Sequence, residues 1–380
     1  MRILLCIGQL STGGAERQFA LLAGELVSAG HEVCFVTLTD SNDLEHYRLM
    51  LGSAQREVLF KRRHPGPLRF VQLSRGWVRL RRIIHQFNPD VVYSALEWTN
   101  WIAAQAVKHS RFPPALAVGI RTGNWGLDDL PWRQRLPIDR LAKHSSRAPI
   151  DALICNSEDG LKKAKRIGLH ARVNRVVCNG IDSTLFVPNH KSRSEMRDRL
   201  GILDGDFLIG NVGRLDPLKN HKGLFEAFKV VREKHANARL LCVGSGPPDY
   251  SRALRDSASS MGIGQSLIWL DHAFNMPAVY SAMDCYVQSS ILEGFSNVLA
   301  EAMSCGVPCV ATDVGATESI LGQEGILVRQ GEPGSLASGI HELIEGDIRT
   351  SPGSRNRVMD LFSVHAMVEQ TLTVFRELLR

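Results

Sequence analysis

Residues 290–313 read Ser290-Ile-Leu-Glu293-Gly-Phe-Ser296-Asn-Val-Leu-Ala-Glu301-Ala-Met-Ser-Cys-Gly306-Val-Pro308-Cys-Val-Ala-Thr-Asp313. The run Asp284 to Ser289 before it is strand-like, so Glu293 and Gly294 fall on a loop at a strand's carboxyl end. A helix is expected from near Ser296 to Gly306, because a glycine ends helices readily and Pro308 forbids continuation. Glu301 then lies inside that helix. Asn297, Val298 and Leu299 form its first turn, whose unpaired N–H groups offer a site for an anion.

Two carboxylates flanking an anion-binding helix start suit a nucleotide-sugar: one acid for sugar hydroxyls, the helix end for phosphate, the other acid for a ribose. The run from Glu293 to Met303, with Gly306-Val-Pro308 behind it, resembles the Glu-x7-Glu motif of retaining glycosyltransferases of family 4. Those enzymes have the GT-B fold and include bacterial enzymes of polysaccharide and glycolipid synthesis. The resemblance implies two doubly wound, Rossmann-like α/β domains facing one another across a cleft. Two accidental acids on a loop and a helix would be the bland explanation. The glycine, the helix start and the flanking strands argue against it.

Composition agrees with an ordinary globular chain. At 380 residues two domains are expected, and 44% hydrophobic with 22% charged residues gives no sign of disorder. No apolar run reaches the roughly 18 residues of a membrane span. Met1 to Leu10 mimics a signal peptide but is too short and reads as a buried first strand. The eight cysteines are scattered, mostly in apolar strands, and Cys305 and Cys309 straddle a helix end without a second pair, so reduced thiols in a cytoplasmic protein are expected. Up to His190 the chain has 26 Lys and Arg against 16 Asp and Glu; after it, 19 against 23. A basic first half points to a different partner for that half. With no nucleic-acid-binding signature, an anionic membrane surface is the better candidate.

The chain opens with a strand (2–10), a glycine turn, a helix ending near Gly30, and a strand from Glu32 to Thr39. Gly13-Gly14-Ala-Glu16 resembles the family's loop beside the donor diphosphate and the acceptor; glycines there allow close backbone approach. Further units follow: helix 68–87, strand Asp90–Ala95, helix near 98–109, strand Leu116–Arg121, a polar segment 122–149 and strand Asp151–Asn156. This alternation implies a parallel sheet. A last strand, Arg175–Cys178, precedes Asn179-Gly180-Ile181-Asp182, which resembles the family signature before the interdomain linker. Many members carry a His after the fourth strand. Here that place reads Ala95-Leu-Glu97-Trp-Thr-Asn100, so Glu97 is the candidate substitute and Asn100 a second.

In the second half, strand Phe207–Gly213 leads to Arg214-Leu-Asp-Pro-Leu-Lys219-Asn-His-Lys222. Arg214 and Lys219 resemble the motif whose two cations hold the donor diphosphate, with Lys222 as a weaker substitute. Cations there stabilise charge that grows as the glycosidic bond breaks. Gly244-Ser-Gly-Pro247 resembles a loop of the same family, as does the stretch around His272 and Phe274, where relatives contact the base. Donor contacts are further expected from Gly294, Phe295, Ser296, Asn297, Val298 and Leu299. Asp204-Gly-Asp206 spells a metal-binding motif of another glycosyltransferase fold, but its position between a helix and a strand makes it a turn. His31, His221 and His272 show no ligand spacing, so no metal is expected.

These readings give an acceptor-side domain at 1–185, a nucleotide-sugar domain at 186–362, and a last helix at 363–380 that crosses back to the first. The expected activity is retaining hexosyl transfer, without metal or cofactor, from a nucleotide-sugar to an acceptor hydroxyl. UDP is the commonest family nucleotide, and the acceptor is expected to be a sugar or lipid-linked sugar at the inner membrane face. Glu293 would hold the donor sugar, Glu301 the ribose, and Arg214 with Lys219 the diphosphate. A non-catalytic partner subunit of the same fold is the rival. A dehydrogenase is disfavoured by the absent Gly-x-Gly-x-x-Gly.

Overall fold

A computed structural model describes residues 1–10, 13–40, 44–61, 68–121, 132–145, 150–271 and 275–380. The chain forms two units, Met1–Gly180 with Val364–Arg380, and Ile181–Ser363.

The first unit carries seven parallel strands: β1 (Arg2–Ile7), β2 (Glu32–Thr39), β3 (Gln55–Phe60), β4 (Val91–Ala95), β5 (Ala115–Ile120), β6 (Ile150–Cys155) and β7 (Ala171–Val176). Their order is β3-β2-β1-β4-β5-β6-β7. Between them run α1 (Gly14–Ser28), α2 (Leu44–Leu51), α3 (Leu68–Phe87), α4 (Glu97–Lys108), α5 (Trp132–Ser145) and α6 (Glu158–Arg166). Strand β1 shows why the sheet is covered on both faces. Side chains alternate along a strand, so Ile3, Leu5 and Ile7 join Phe19 and Tyr93, while Leu4 and Cys6 join Leu80 and Ile84 of α3. The helix Val364–Leu378 completes the first of these clusters with Met367, Val368, Leu372 and Phe375. Each such side chain contributes about 1.5–3 kcal/mol on burial.

The second unit has six parallel strands in the order β10-β9-β8-β11-β12-β13. They are β8 (Phe207–Val212), β9 (Ala238–Val243), β10 (Leu267–Leu270), β11 (Cys285–Gln288), β12 (Cys309–Thr312) and β13 (Ile326–Val328). Its helices are α7 (His190–Leu200), α8 (His221–Lys234), α9 (Pro248–Ser260), α10 (Met276–Ala282), α11 (Asn297–Ser304), α12 (Thr317–Leu321), α13 (Pro333–Glu345) and α14 (Pro352–Leu361). Asp284, fully buried before β11, ties α7 to this sheet. It accepts the Leu208 N–H at 2.7 Å and pairs with Arg193, Arg197 and Arg349.

Three readings need correction. The polar segment 122–149 contains α5. Pro137 stands inside it and an Arg135–Asp139 pair lies on its surface, so the buried Ile138 and Leu141 are set among polar residues that hide the helical period. The strand placed at Arg175–Cys178 is β7, Ala171–Val176, an edge strand in which Arg172 and Arg175 are exposed and Val173 is buried. Finally, α2 and β3 occupy a region to which no element was assigned. Asp206 closes a turn by accepting the Leu203 N–H at 3.1 Å. All eight cysteines are free; burial pushes Cys155 and Cys242 to about 12.

Candidate active site

In the second sheet β9 and β10 run out to one side of β8, and β11 to β13 to the other. The loops leaving β8 and β11 therefore part, and such a switch point is where open α/β sheets bind ligands. The loop after β8 holds Arg214 and turns at Pro217–Lys219, with Asp216 capping through the Leu218 N–H at 2.9 Å. Asn220 then caps α8 from a left-handed conformation, φ 50°. The loop after β11 holds Ser289 to Ser296.

The structure brings Lys219 and Glu293 together. Lys219 Nζ pairs with Glu293 Oε1, which also accepts the Ser290 hydroxyl at 2.8 Å. Ser289 donates to the Lys219 carbonyl at 2.8 Å, and the Ile291 N–H to the Leu218 carbonyl at 2.9 Å. Thr312 at the end of β12 donates to the Ser290 carbonyl at 2.6 Å, so three strand ends hold one loop. Arg214 stays open to solvent, 79% exposed, with Asp216 at 3.6 Å. Lys222 is exposed on α8.

Glu301 is buried about one turn into α11, where it accepts the Tyr280 hydroxyl at 2.9 Å. Ser296 sits at the N-cap of α11 without a side-chain capping bond, and its Oγ is enclosed without a partner. Asn297 and Val298 are half-buried at the helix start. Phe295 and Leu299 are buried, and Phe295 packs its ring on Phe362 at 5.5 Å. These two shape the loop from behind. Gly294 accepts the Ala316 N–H at 2.9 Å.

Two glycines are required by close approach. At Gly315, φ +60°, a Cβ would lie 2.3 Å from the Glu293 carbonyl; at Gly244, φ +136°, 2.0 Å from the Gly213 carbonyl. His221, the first residue of α8, is buried with Nδ1 unpartnered. Burial first, then the Lys219 charge, lowers it to about 4, so it is neutral at ordinary pH. His272 and Phe274 lie outside the described residues.

The first sheet switches direction between β1 and β4. A pocket of about 190 Å³ lies there, lined by Gly8, Gln9, Thr39, Leu96, Glu97 and Thr99 among others. Leu96 has φ 74°, a costly conformation for a leucine, and it delivers Glu97 to the first turn of α4. Burial raises the Glu97 carboxyl pKa. Asn100 is fully buried and accepts from Ser94 while donating to the Gly119 carbonyl, which makes it a brace between β4 and β5. Gly13 is the N-cap of α1, with the Glu16 side chain over the space a Cβ would take; Gly14 is exposed at the helix start.

Sequence reasoning missed Ser289, Ser290 and Thr312, although Ser290 and Thr312 stand in the deciding stretch. It also missed Tyr280, whose helix was not recognised. In the first unit it missed a buried cluster in which Arg121 donates to Asn179 at 2.9 Å and to the Tyr93 hydroxyl at 2.6 Å. Gln18 there exchanges two bonds with the Gly180 backbone.

Comparison with known proteins gives a consistent picture. Residues 12–185 match the family described as Glycosyltransferase Family 4, and residues 206–346 match Glycosyl transferases group 1. The Staphylococcus aureus capsular polysaccharide biosynthesis glycosyltransferase CapM is 29% identical over 53% of this chain and 54% of its own. The chain thus matches about half the length of that relative. A GDP-mannose-dependent alpha-(1-6)-phosphatidylinositol monomannoside mannosyltransferase of Mycolicibacterium smegmatis is 30% identical over 87% of this chain and 86% of its own. Among solved structures, Anabaena Alr3699/HepE in complex with UDP superposes with a TM-score of 0.84 at 21% identity, covering 99% of this chain and 100% of that one. This last likeness concerns the fold.

Proposed function

Because the chain belongs to the family 4-type glycosyltransferases of the GT-B fold, we propose that it transfers a hexosyl group, with retention, from a UDP-sugar to a sugar or lipid-linked acceptor. The observation that carries the reading is the Lys219–Glu293–Ser290 cluster at the switch point of the second sheet. Lys219 and Arg214 meet the diphosphate, aided by the start of α11; Glu293 holds donor sugar hydroxyls; and Glu301, oriented by Tyr280, takes the ribose. As the bond from the anomeric carbon to the phosphate oxygen breaks, the acceptor oxygen bonds to that carbon on the same face. The acceptor's proton passes to the leaving phosphate. No protein nucleophile is needed, and the protein supplies position and charge. Glu97 serves the acceptor side in this reading.

The M. smegmatis relative is named for GDP-mannose, whereas HepE was solved with UDP and with UDP-glucose. A thermal-shift panel of UDP-, GDP- and ADP-sugars decides between them, because only a ligand of the native state raises Tm. Stabilisation by a GDP-sugar alone refutes the UDP assignment. Turnover abolished by EDTA and restored by manganese refutes a metal-independent reaction. The role of Glu301 fails if a folded Glu301→Ala protein binds donor unchanged, since a charged hydrogen bond is worth about 1.5–3 kcal/mol. A non-catalytic role has nothing in its favour in the second unit, which keeps Arg214, Lys219, Glu293 and Glu301.

For a lipid-linked acceptor, the first unit offers the basic side of α3. Arg75 and Arg82 are exposed opposite buried Leu73, Leu80, Ile84 and Phe87, with Lys61 exposed just after β3. Arg79 turns back onto the Leu59 carbonyl and the Phe60 ring, so it contributes less. Arg62, Arg63 and the side chains of Arg69 and Phe70 lie outside the described residues. Among the described residues no helix is long and apolar enough to cross a membrane. Each surface cation adds about 1 kcal/mol on an acidic leaflet, giving salt-sensitive peripheral attachment at the cytoplasmic face. Equal flotation with anionic and neutral vesicles overturns it.

A further inference from the structure

At the far end of α8 from Lys219 the helix stops at His235, whose Nε2 stands 3.0 Å from Nδ1 of His341 on α13. Glu345 lies one turn along α13 from His341, on the same face. One ligand atom from each of His235, His341 and Glu345 lies within 4.8 Å of the others. We propose that His235, His341 and Glu345 form a binding site for a divalent transition-metal cation, zinc by ligand preference, that clips α8 to α13.

Three observations support this. First, two imidazole nitrogens and a carboxylate oxygen are the donor set that Zn²⁺ takes, with water completing a tetrahedron. A nitrogen–nitrogen separation of 3.0 Å is close to that of two ligands on one such ion. Second, the helices are already fixed against one another. Leu224, Phe228 and Val231 of α8 share a core with Leu336, Ile340 and Leu343 of α13, so the ligands are positioned before any ion arrives. Third, both rings can present lone pairs. His235 Nε2 and His341 Nδ1 share one hydrogen bond, and His341 Nε2 has no partner, so the shared proton can move to a ring's other nitrogen and leave both facing lone pairs to an ion.

The cation's role is structural. Fourteen residues of helix separate the site from the start of α8, about 21 Å along its axis, too far to touch a diphosphate held by Lys219. An ion that binds only the native state stabilises it and leaves the transfer chemistry alone. The sequence gives no hint of the site, because its two histidines are 106 residues apart.

The test uses chelator-stripped full-length protein titrated with Zn²⁺ against a chromophoric competitor, with Co²⁺ as a spectroscopic probe. One equivalent should bind, raise Tm by several degrees at about a hundred times Kd, and give with cobalt the visible bands of a low-coordinate nitrogen–oxygen site. His235→Ala and His341→Ala should each weaken binding at least about a hundred-fold, and Glu345→Gln about ten-fold. Lys234→Ala, adjacent but without a ligand atom, should bind as the parent does. Circular dichroism and donor binding show that the variants remain folded; should the alanine variants unfold, His235→Gln and His341→Gln replace them. The proposal is overturned if zinc does not bind, if it binds the histidine variants as tightly as the parent, or if Tm is unmoved at saturation.

Discussion

The Lys219–Glu293 pair can be measured directly. Both side chains are mostly enclosed, at 21% and 12% exposure, so solvent screens them little. Two unit charges about 3 Å apart at an effective dielectric near 20 attract by about 5 kcal/mol, and the cost of removing both from water offsets part of this. Glu293→Gln keeps the shape and the Ser290 partner but leaves an ammonium with no counter-charge from that loop. Lys219→Met leaves the carboxylate on Ser290 alone. Each single change should cost about 2–3 kcal/mol, while the double variant should be more stable than their sum by about 1.5–3 kcal/mol. The assay is urea unfolding of the four proteins followed by circular dichroism. Additivity within about 0.5 kcal/mol would refute the pairing and the joined loops it implies.

Tyr280→Phe removes the hydroxyl that orients the buried Glu301 and should weaken donor binding about ten-fold by calorimetry without emptying core volume; unchanged affinity separates Glu301 from the ligand. His221 makes stability fall with acid. Its pKa is lowered from 6.5 to about 4, so between those values only the unfolded chain takes the proton. About 3 kcal/mol present above pH 6.5 is lost by pH 4, and His221→Gln should flatten that slope in denaturation series. Asp284→Asn strands the guanidinium groups of Arg193, Arg197 and Arg349 and should cost about 3–5 kcal/mol, read as a lower urea midpoint.

The glutamate stretch was legible because its cues are local. A strand, a glycine loop, a helix start and Pro308 lie within about two dozen residues, and α11 falls where those cues put it. The repeated strand–helix alternation likewise gave a parallel sheet in each unit. What stayed hidden was whatever depends on distant residues meeting. Lys219 finds Glu293 across 74 residues, and no spacing announces it. Tyr280 reaches Glu301 from a seven-residue helix too short to show a period. Helix α5 was obscured by Pro137, and β7 by the exposed arginines of an edge strand. Asn100 was a reasonable substitute for the absent His on type and position, yet its amide closes a bond between two strands.

The helix Val364–Leu378 carries a consequence for biosynthesis. Domains are made from the N-terminus onward, and the first to emerge usually folds first. Here the sheet of the first unit waits for Met367, Leu372 and Phe375, which are translated only after all of Ile181–Ser363. Until then the face holding Phe19 and Tyr93 lacks part of its cover, while the second unit already has every residue it needs. The later-made half can therefore mature before the earlier one. A chain released after residue 363 would carry a second unit with all its residues and a first unit with an adhesive, uncovered face. Chaperone demand in this chain should peak late in elongation, and removing residues 364–378 should injure the half of the protein farthest from them in sequence.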